Sequence, residues 1–172
     1  MDRVGNIKNK VVDHQTAVRR INAWRLKGYK VVFTNGCFDI LHLGHVSYLS
    51  QASSLGNKMI LAVNTDDSVR RLGKGKDRPL NDEVSRALVL AGLGFVDLVV
   101  LFNEDTPLEI IDIVNPDILV KGGDYNADQT NKQALDYIVG SDLVRKRGGK
   151  VVTIPLVDGF STTSILDKLK KT

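Results

Sequence analysis

The sequence is poor in cysteine and has no long apolar run. A single cysteine in 172 residues excludes an internal disulfide framework and supplies no cysteine cluster for structural zinc. No apolar stretch approaches the roughly 20 residues that span a bilayer, and the first residues lack the apolar core of a secretory signal. These absences predict a cytoplasmic protein without a membrane partner.

Two common phosphate-binding motifs are also missing. No GxGxxG follows the first apolar run, which disfavours a dehydrogenase, and no GxxxxGK[ST] is present, which disfavours a P-loop kinase. The charge excess is small, with 24 Lys and Arg against 20 Asp and Glu and a net charge of +4. This excess suits an anionic ligand but is too weak to indicate nucleic acid.

The remaining composition is that of an ordinary globular chain, with 42% hydrophobic and 26% charged residues. We therefore expect one domain over residues 1–172, of which 1–12 form a loose N-terminal segment. Short β-branched runs alternate with helical patterns. Strands are predicted at 31–34, 59–63, 96–102, 118–120 and 151–155.

Capping residues locate the helices between these strands. Helices are predicted from Asp13 to Gly28, from about Val46 to Gly56, over 84–93 with Asn81 as N-cap, from Thr106-Pro107, near 131–147 and from Ser161. Strands alternating with helices favour an α/β fold with a doubly wound parallel sheet and helices on both faces. In such folds ligands bind beyond the carboxyl ends of the strands.

Two of the three histidines lie directly after the first predicted strand, where a helix begins. His42 and His45 are separated by Leu43-Gly44 within TNGCFDILHLGH at 34–45, and Asn35-Gly36 is the predicted tight turn. A helix N-terminus attracts anions, and imidazoles three residues apart face the same ligand. The pattern favours a phosphate site over two core histidines, and over a zinc pair without a third ligand.

Two neighbours in this segment have less specific interpretations. Cys37 is interpreted as a small buried hydrophobe rather than a nucleophile, because no ionic partner pattern activates it. Asp39 is interpreted as an anchor for the loop rather than a magnesium ligand.

Two further segments follow predicted strands. In KGGDY at 121–125, Lys121 could neutralise phosphate and Asp124 could bond a ribose hydroxyl; a glycine turn with solvated charges is the alternative. GFSTTS at 159–164 provides hydroxyls that cap a helix and also form a second phosphate cradle.

A basic segment follows the second predicted strand. It contains Arg70, Arg71, Lys74, Lys76 and Arg78, with glycines between them. A solvated surface is the ordinary explanation for such a run. Because it follows a strand, we expect at least one cation to reach a phosphate, Arg78 first and Lys74 second.

TNGCFDILHLGH resembles the signature of the HxGH nucleotidyltransferase superfamily, which includes the cytidylyltransferases. RPLND at 78–82, PDILVKGGDY at 116–125 and the GFSTTS ending closely resemble the adenylyltransferase domains of ADP-heptose synthases. This resemblance implies a Rossmann-like five-stranded sheet of order 3-2-1-4-5. It also implies transfer of AMP from ATP to heptose 1-phosphate, with release of pyrophosphate, in lipopolysaccharide core synthesis. The implied cofactor is Mg²⁺, with ATP as a substrate.

The resemblance implies partners and site residues as well. The expected partners are small molecules, a second copy in a homodimer, and a sugar kinase that is separate or fused, since this chain contains none. The implied catalytic residues are His42, His45, Arg78 and Lys74. The implied nucleotide-binding residues are Thr34, Asn35, Gly36, Cys37, Phe38, Gly44, Lys121, Gly122, Asp124, Ser161, Thr162 and Thr163. No protein metal ligand is assigned.

Two alternatives stay open on sequence alone. Cytidylyl transfer to glycerol 3-phosphate or a related small phosphate ester shares the HxGH motif. A nucleotide-binding module without catalysis is the alternative from another class, and the retained histidines and STTS cluster count against it. A tRNA synthetase is disfavoured because the chain has no room for a tRNA-binding domain.

Overall fold

The computed structural model describes residues 2–73, 75, 77–123, 125–157, 159–162 and 165. Its five strands are β1 Val31–Gly36, β2 Lys58–Asn64, β3 Leu98–Phe102, β4 Ile118–Gly122 and β5 Lys150–Ile154. Its helices are α1 Arg3–Lys8, α2 His14–Arg25, α3 Leu43–Ser53, α4 Asp66–Arg71, α5 Glu83–Ala91, α6 Leu108–Val114 and α7 Ser141–Lys146. None of the helices in this part of the chain combines the length and apolar character that crossing a membrane requires.

The strands form one parallel sheet in the order β3-β2-β1-β4-β5, which confirms the predicted doubly wound arrangement. Successive residues of β1 face opposite sides, so Val32 packs with α3 and α5 while Val31 and Phe33 pack with α2 and α6. Both faces are thereby buried, which explains why the strands are apolar runs rather than alternating ones.

Two aspartates tie the amino ends of the strands together. Asp117, just before β4, accepts a 2.8 Å hydrogen bond from the Val31 backbone N–H of β1. Asp97, just before β3, accepts one of 2.8 Å from the Met59 N–H of β2, and its other oxygen lies 2.7 Å from Lys58 Nζ. The Lys58 ammonium also lies 5.3 Å from the ring centre of Trp24. The amino edge of the sheet is therefore occupied by structural contacts.

The N-terminal segment, which we expect to be loose, forms a helix and pairs with the edge of the sheet. Residues Arg3–Lys8 form α1, which Asp2 caps. Val11 then pairs with Val99 of the edge strand, where the Val12 N–H bonds the Val99 carbonyl at 3.0 Å. Ile7 and Val11 pack against the core. Edge strands leave unpaired backbone groups, and this segment satisfies some of those of β3.

Three helix predictions need correction. Asp82, not Asn81, caps α5, since its side chain accepts from the Ser85 N–H. The helix predicted from Thr106 begins one residue later, with Pro107 as N-cap and no capping side chain. The polar helix predicted near 131–147 is helical only in α7. Asn126 and Asn131 side chains accept from backbone N–H groups two residues on, a local bond that competes with helix formation.

The sequence also gave no indication of α4, and the final helix is only partly described. Arg70 and Arg71 lie in the last turn of α4 rather than in a loop. At the C-terminus, the Ile165 N–H bonds the Ser161 carbonyl at 3.1 Å, which is consistent with a helix starting there. The rest of that predicted helix lies outside the described residues.

Candidate active site

An open cleft of about 510 Å³ lies at the carboxyl ends of the strands. Residues from the ends of β1, β2 and β4 line it, together with those that follow β3 and β5. This is the place where parallel α/β sheets bind ligands, because the loops on the two sides of the central strand diverge there.

The histidine pair begins helix α3. His42 is the N-cap, and its Nδ1 accepts a 3.4 Å hydrogen bond from the His45 backbone N–H. The two rings stack with centroids 3.8 Å apart and an angle of 23°. The His45 ring lines the cleft, and the His42 ring stacks on the His45 ring. The predicted pairing of the imidazoles at a helix start is therefore present.

The capping contact determines which nitrogen of His42 is the acceptor. Since Nδ1 accepts from an N–H group, the neutral ring must carry its proton on Nε2. Burial lowers the pKa of His42 below its ordinary value, because the charged form is less well solvated there. Neutral His42 is thus a hydrogen-bond donor through Nε2.

Gly44 lies between the histidines, where neighbouring side chains leave little space for a Cβ. A Cβ at this position would lie 3.1 Å from His42 Nδ1 and 3.3 Å from Phe160 Cβ. The family resemblance implies one role for this glycine, in nucleotide binding. The structure adds another, which is space for the His42 ring.

The turn after β1 falls at Phe38 rather than at the predicted Asn35-Gly36. Phe38 has φ of 48°, the left-handed region that a bulky side chain rarely adopts. Its ring would lie 3.1 Å from a Cβ on Gly36, and it meets the His45 ring edge-on at 5.3 Å. The Phe38 ring therefore occupies the space beside Gly36 and supports His45.

Cys37 and Asp39 fulfil the structural roles expected of them. Cys37 is nearly buried, with its Sγ 3.7 Å from the Asn64 Oδ1. Asp39 is buried, and its Oδ1 accepts from the Leu80 N–H at 2.7 Å and the Asn81 N–H at 3.0 Å. Asp39 thus anchors the loop before α3 to the segment before α5.

The three arginines of the basic segment pair with carboxylates. Arg78 lines the cleft, and its Nε lies 2.6 Å from Asp39 Oδ2. Arg71 pairs with Asp105 at 2.6 Å, and Arg70 pairs with Asp67 at 2.6 Å. The phosphate role of Arg78 stays a prediction. Lys74 and Lys76 lie outside the described residues.

The end of β4 forms the opposite wall. Lys121 Nζ lies 3.4 Å from the Asn35 carbonyl and 5.6 Å from the ring centre of Tyr125. A Cβ on Gly122 would lie 2.8 Å from Leu156 and 3.2 Å from the Tyr48 ring. Gly122 is therefore closely packed against Leu156 and Tyr48, in addition to any contact with a ligand.

Thr34 faces the interior rather than the cleft. Its hydroxyl lies 2.6 Å from the Tyr48 hydroxyl, which in turn donates to the Val120 carbonyl at 3.2 Å. Burial raises the pKa of Tyr48 well above its ordinary value, so the phenol stays neutral. These two hydrogen bonds link Tyr48 of α3 to Thr34 of β1 and to Val120 of β4.

The cleft brings most of the predicted residues together. Its lining includes Asn35, Gly36, Cys37, Phe38, His45, Arg78, Lys121, Gly122 and Thr162. Thr34, His42, Gly44 and Ser161 do not line it. Asp124 and Thr163 lie outside the described residues.

Several cleft residues were not predicted. Asn64 ends β2, and Asp105, Thr106 and Pro107 follow β3, so the rule about strand ends could have identified them. Tyr137 and Val139 gave no such signal, because they belong to the segment that was expected to be a regular helix.

A doubly wound parallel sheet with stacked histidines at the first helix of its cleft defines a nucleotidyltransferase-like architecture. The cytidylyltransferase-like family model matches residues 33–168. The chain belongs to the cytidylyltransferase-like family.

Relatives and solved structures agree with this assignment. The chain is 52% identical to the bifunctional protein HldE of Magnetococcus marinus over 94% of this chain and 31% of that protein. It is 54% identical to HldE of Syntrophotalea carbinolica over 84% of this chain and 28% of that protein. The chain therefore spans about a third of the length of these curated relatives.

Two solved structures are similar in fold. A lipopolysaccharide core biosynthesis protein from Thermoplasma volcanium has a TM-score of 0.56 and 31% identity, covering 76% of this chain and 98% of that one. A pantoate-beta-alanine ligase from Francisella tularensis has a TM-score of 0.56 at 14% identity, covering 94% of this chain and 78% of that one. The second likeness concerns the fold alone.

Proposed function

We propose that the chain is an adenylyltransferase that joins heptose 1-phosphate to the AMP moiety of ATP and releases pyrophosphate. The observation that supports it most is the stacked His42–His45 pair at the start of α3 beside the cleft. The similarity to HldE proteins over 94% of the chain supports the choice of nucleotide and acceptor.

The reaction places few demands on acid or base groups. The attacking group is an oxygen of the sugar 1-phosphate, whose second pKa of about 6 leaves it mostly ionised at neutral pH. This oxygen bonds to the α-phosphorus of ATP while the bond from that phosphorus to the bridging oxygen of pyrophosphate breaks. No proton must be removed from the nucleophile, so the protein's task is alignment and charge stabilisation.

The groups at the cleft suit that task. Neutral His42 presents an Nε2–H donor, His45 lines the cleft, and the N-terminus of α3 adds a positive dipole end. Lys121 on the opposite wall supplies a cation. We assign the histidines to the triphosphate and Lys121 to a phosphate of either substrate.

Magnesium would enter with the nucleotide. Among the residues that the structure describes, no cluster of three or more His, Cys, Asp or Glu side chains has the arrangement of a metal site. Mg²⁺ is commonly held by substrate phosphates with few protein ligands, so we propose that it binds as the complex with ATP. No step of the reaction is assigned to it.

The cellular setting is proposed on the same basis. The relatives are named bifunctional, and we propose that a sugar kinase, fused or separate, supplies the 1-phosphate. We further propose a cytoplasmic homodimer, which sedimentation analysis of the purified protein would test.

Pyrophosphate release tests the proposal directly. ATP and CTP are each paired with heptose 1-phosphate, glucose 1-phosphate and glycerol 3-phosphate. We expect release with ATP and heptose 1-phosphate only. Release with CTP and glycerol 3-phosphate would instead support the cytidylyltransferase alternative, to which the description of the matched family also points. Nucleotide binding without release from any pair would indicate a non-catalytic module.

A further inference from the structure

Arg86 in α5 is a buried cation with no role in the function proposed above. Its side chain is 1% exposed. Nη1 donates to the Cys37 carbonyl at 2.6 Å, Nε donates to the Asn81 carbonyl at 3.0 Å, and Nη2 lies 2.7 Å from Asp66 Oδ1. A buried guanidinium is unfavourable unless it is paired and hydrogen-bonded, and here three separate segments satisfy it.

Two of these contacts act on the segment that supports His45. The Cys37 carbonyl immediately precedes Phe38, which has the unfavourable φ of 48°. The Asn81 side chain, next to the carbonyl that Arg86 holds, donates to the Asp39 carbonyl at 2.6 Å. Arg86 thus fixes the backbone before Phe38 directly and the backbone after it through Asn81.

Phe38 transmits this constraint to the cleft. Its ring meets the His45 ring edge-on at 5.3 Å, and His45 stacks on His42. If the turn at Phe38 relaxes toward a more ordinary conformation, its ring leaves this position and the His45 ring loses its support.

We infer that Arg86 is a positioning residue, which holds the turn at Phe38 so that the His45 imidazole is aligned for reaction in the cleft. The inference rests on the proposed function for its kinetic consequence, but the position of the His45 ring is measurable without it. Lysine keeps the charge for Asp66 and cannot donate in the three directions that guanidinium uses.

Arg86→Lys in the full chain tests the inference kinetically. Misplacing a catalytic group by about 1 Å lowers the rate by up to roughly 10²-fold, so we expect kcat to fall about 10- to 100-fold. The KM for ATP should change little, because the lost interaction is stronger in the transition state than in the ground state.

Val114→Ala is the matched control for lost stability. Val114 is buried in α6, on the other face of the sheet, and does not line the cleft. This variant should melt at a lower temperature than the wild type and keep its kcat at temperatures where it is folded. A kcat of Arg86→Lys equal to that of Val114→Ala would overturn the inference.

Histidine NMR gives a readout that does not require activity. The chain has three histidines, so the imidazole Cε1–H region contains three signals, which His14→Gln, His42→Gln and His45→Gln assign. Arg86→Lys should shift the signals of His45 and His42 and leave that of His14 in place. Unmoved His45 and His42 signals would also overturn the inference.

Asp66→Asn provides a second variant in case Arg86→Lys does not fold. It removes one charged partner of Arg86, and we expect a smaller shift of the same two signals. If no substrate pair releases pyrophosphate but these signals move, the proposed reaction fails while the positioning role stands. If pyrophosphate is released and the signals stay in place in both variants, the proposed reaction stands and the positioning role fails.

Discussion

His45 is the residue on which the proposed chemistry depends most directly, since its ring lines the cleft. Removing one preorganised donor of this kind lowers turnover by roughly 10²–10³-fold. We therefore expect His45→Ala to lose about that factor in kcat and to keep a normal circular dichroism spectrum. His14→Ala is the matched control, because His14 bonds the Leu101 carbonyl and does not line the cleft. Near-normal kcat in His45→Ala would contradict the assignment.

His42 should make the stability of the chain depend on pH. Burial places its folded pKa below the ordinary value of 6.5, so the unfolded chain takes up the proton first as the pH falls. Protonation also removes the Nδ1 acceptor that caps α3. We expect stability to fall as the pH drops below about 6.5, and His42→Asn, which still caps but does not titrate, to flatten that part of the curve.

Thermal unfolding between pH 5 and pH 8 measures this effect. Wild type and His42→Asn should differ in slope on the acid side and run in parallel above pH 7. Parallel curves over the whole range would mean that His42 titrates equally in the folded and unfolded chain.

Gly44 offers a finer test of the histidine geometry. A Cβ there would lie 3.1 Å from His42 Nδ1, so Gly44→Ala must displace the ring by a few tenths of an ångström. We expect kcat to fall about 10-fold, because even a small misplacement of a catalytic group lowers the rate of reaction. The melting temperature should change little, since alanine favours the helix. Gly94→Ala, with open space around the new Cβ, is the control and should keep its kcat.

At this scale the sequence predicts residue types better than their partners. The spacing of His42 and His45 was sufficient to place them together at a helix start. The pairing of Arg78 with Asp39 was not predictable, because the two residues are 39 positions apart and only the fold brings them into contact. The positive φ of Phe38 was not predictable either, since nothing in its residue type favours that conformation.

At the scale of the elements, every strand end was predicted to within two residues, because buried parallel strands are apolar runs. The short helices were not. α1 and α4 have six residues each, which is too few for a periodic pattern to emerge. The segment 131–140 has helical composition, yet the Asn131 side chain accepts from the Gln133 backbone N–H instead.

Asp117 shows how the amino edge of the sheet is stabilised apart from the cleft. Asp117→Ala leaves the Val31 N–H without its side-chain acceptor, and an unsatisfied buried group costs about 1–3 kcal/mol. We expect that loss in the free energy of unfolding measured in urea, with kcat unchanged. Asp112→Ala removes an exposed ion pair with Arg147 and should change the same free energy by less than about 1 kcal/mol. Equal losses in the two variants would contradict this account.

At the scale of the whole molecule, the excess of positive charge lies in the N-terminal residues and not in the part of the chain that contains the cleft. Eight of the 24 Lys and Arg but only two of the 20 Asp and Glu lie in residues 1–30. The remainder, which contains the cleft, therefore has 16 basic and 18 acidic residues. In the function proposed above, attraction of a triphosphate therefore rests on local groups such as Lys121, the histidines and the start of α3, rather than on the overall charge.

The N-terminal segment provides a test at the same scale. Deleting residues 2–12 removes α1 and the pairing of Val11 with Val99 at the edge of the sheet. We expect a lower melting temperature and a greater tendency to aggregate, because the edge of β3 becomes exposed. The KM for ATP should stay the same. An unchanged melting temperature would show that this segment contributes no stability.

The position of Trp24 has a practical consequence. It is the single tryptophan of the chain, and its ring lies beside Lys58 at the first residue of β2, at the far end of the sheet from the cleft. Its intrinsic fluorescence therefore reports whether the chain is folded and should be insensitive to nucleotide. Emission from this one indole can follow denaturation in the presence of saturating substrate without interference from the binding event itself.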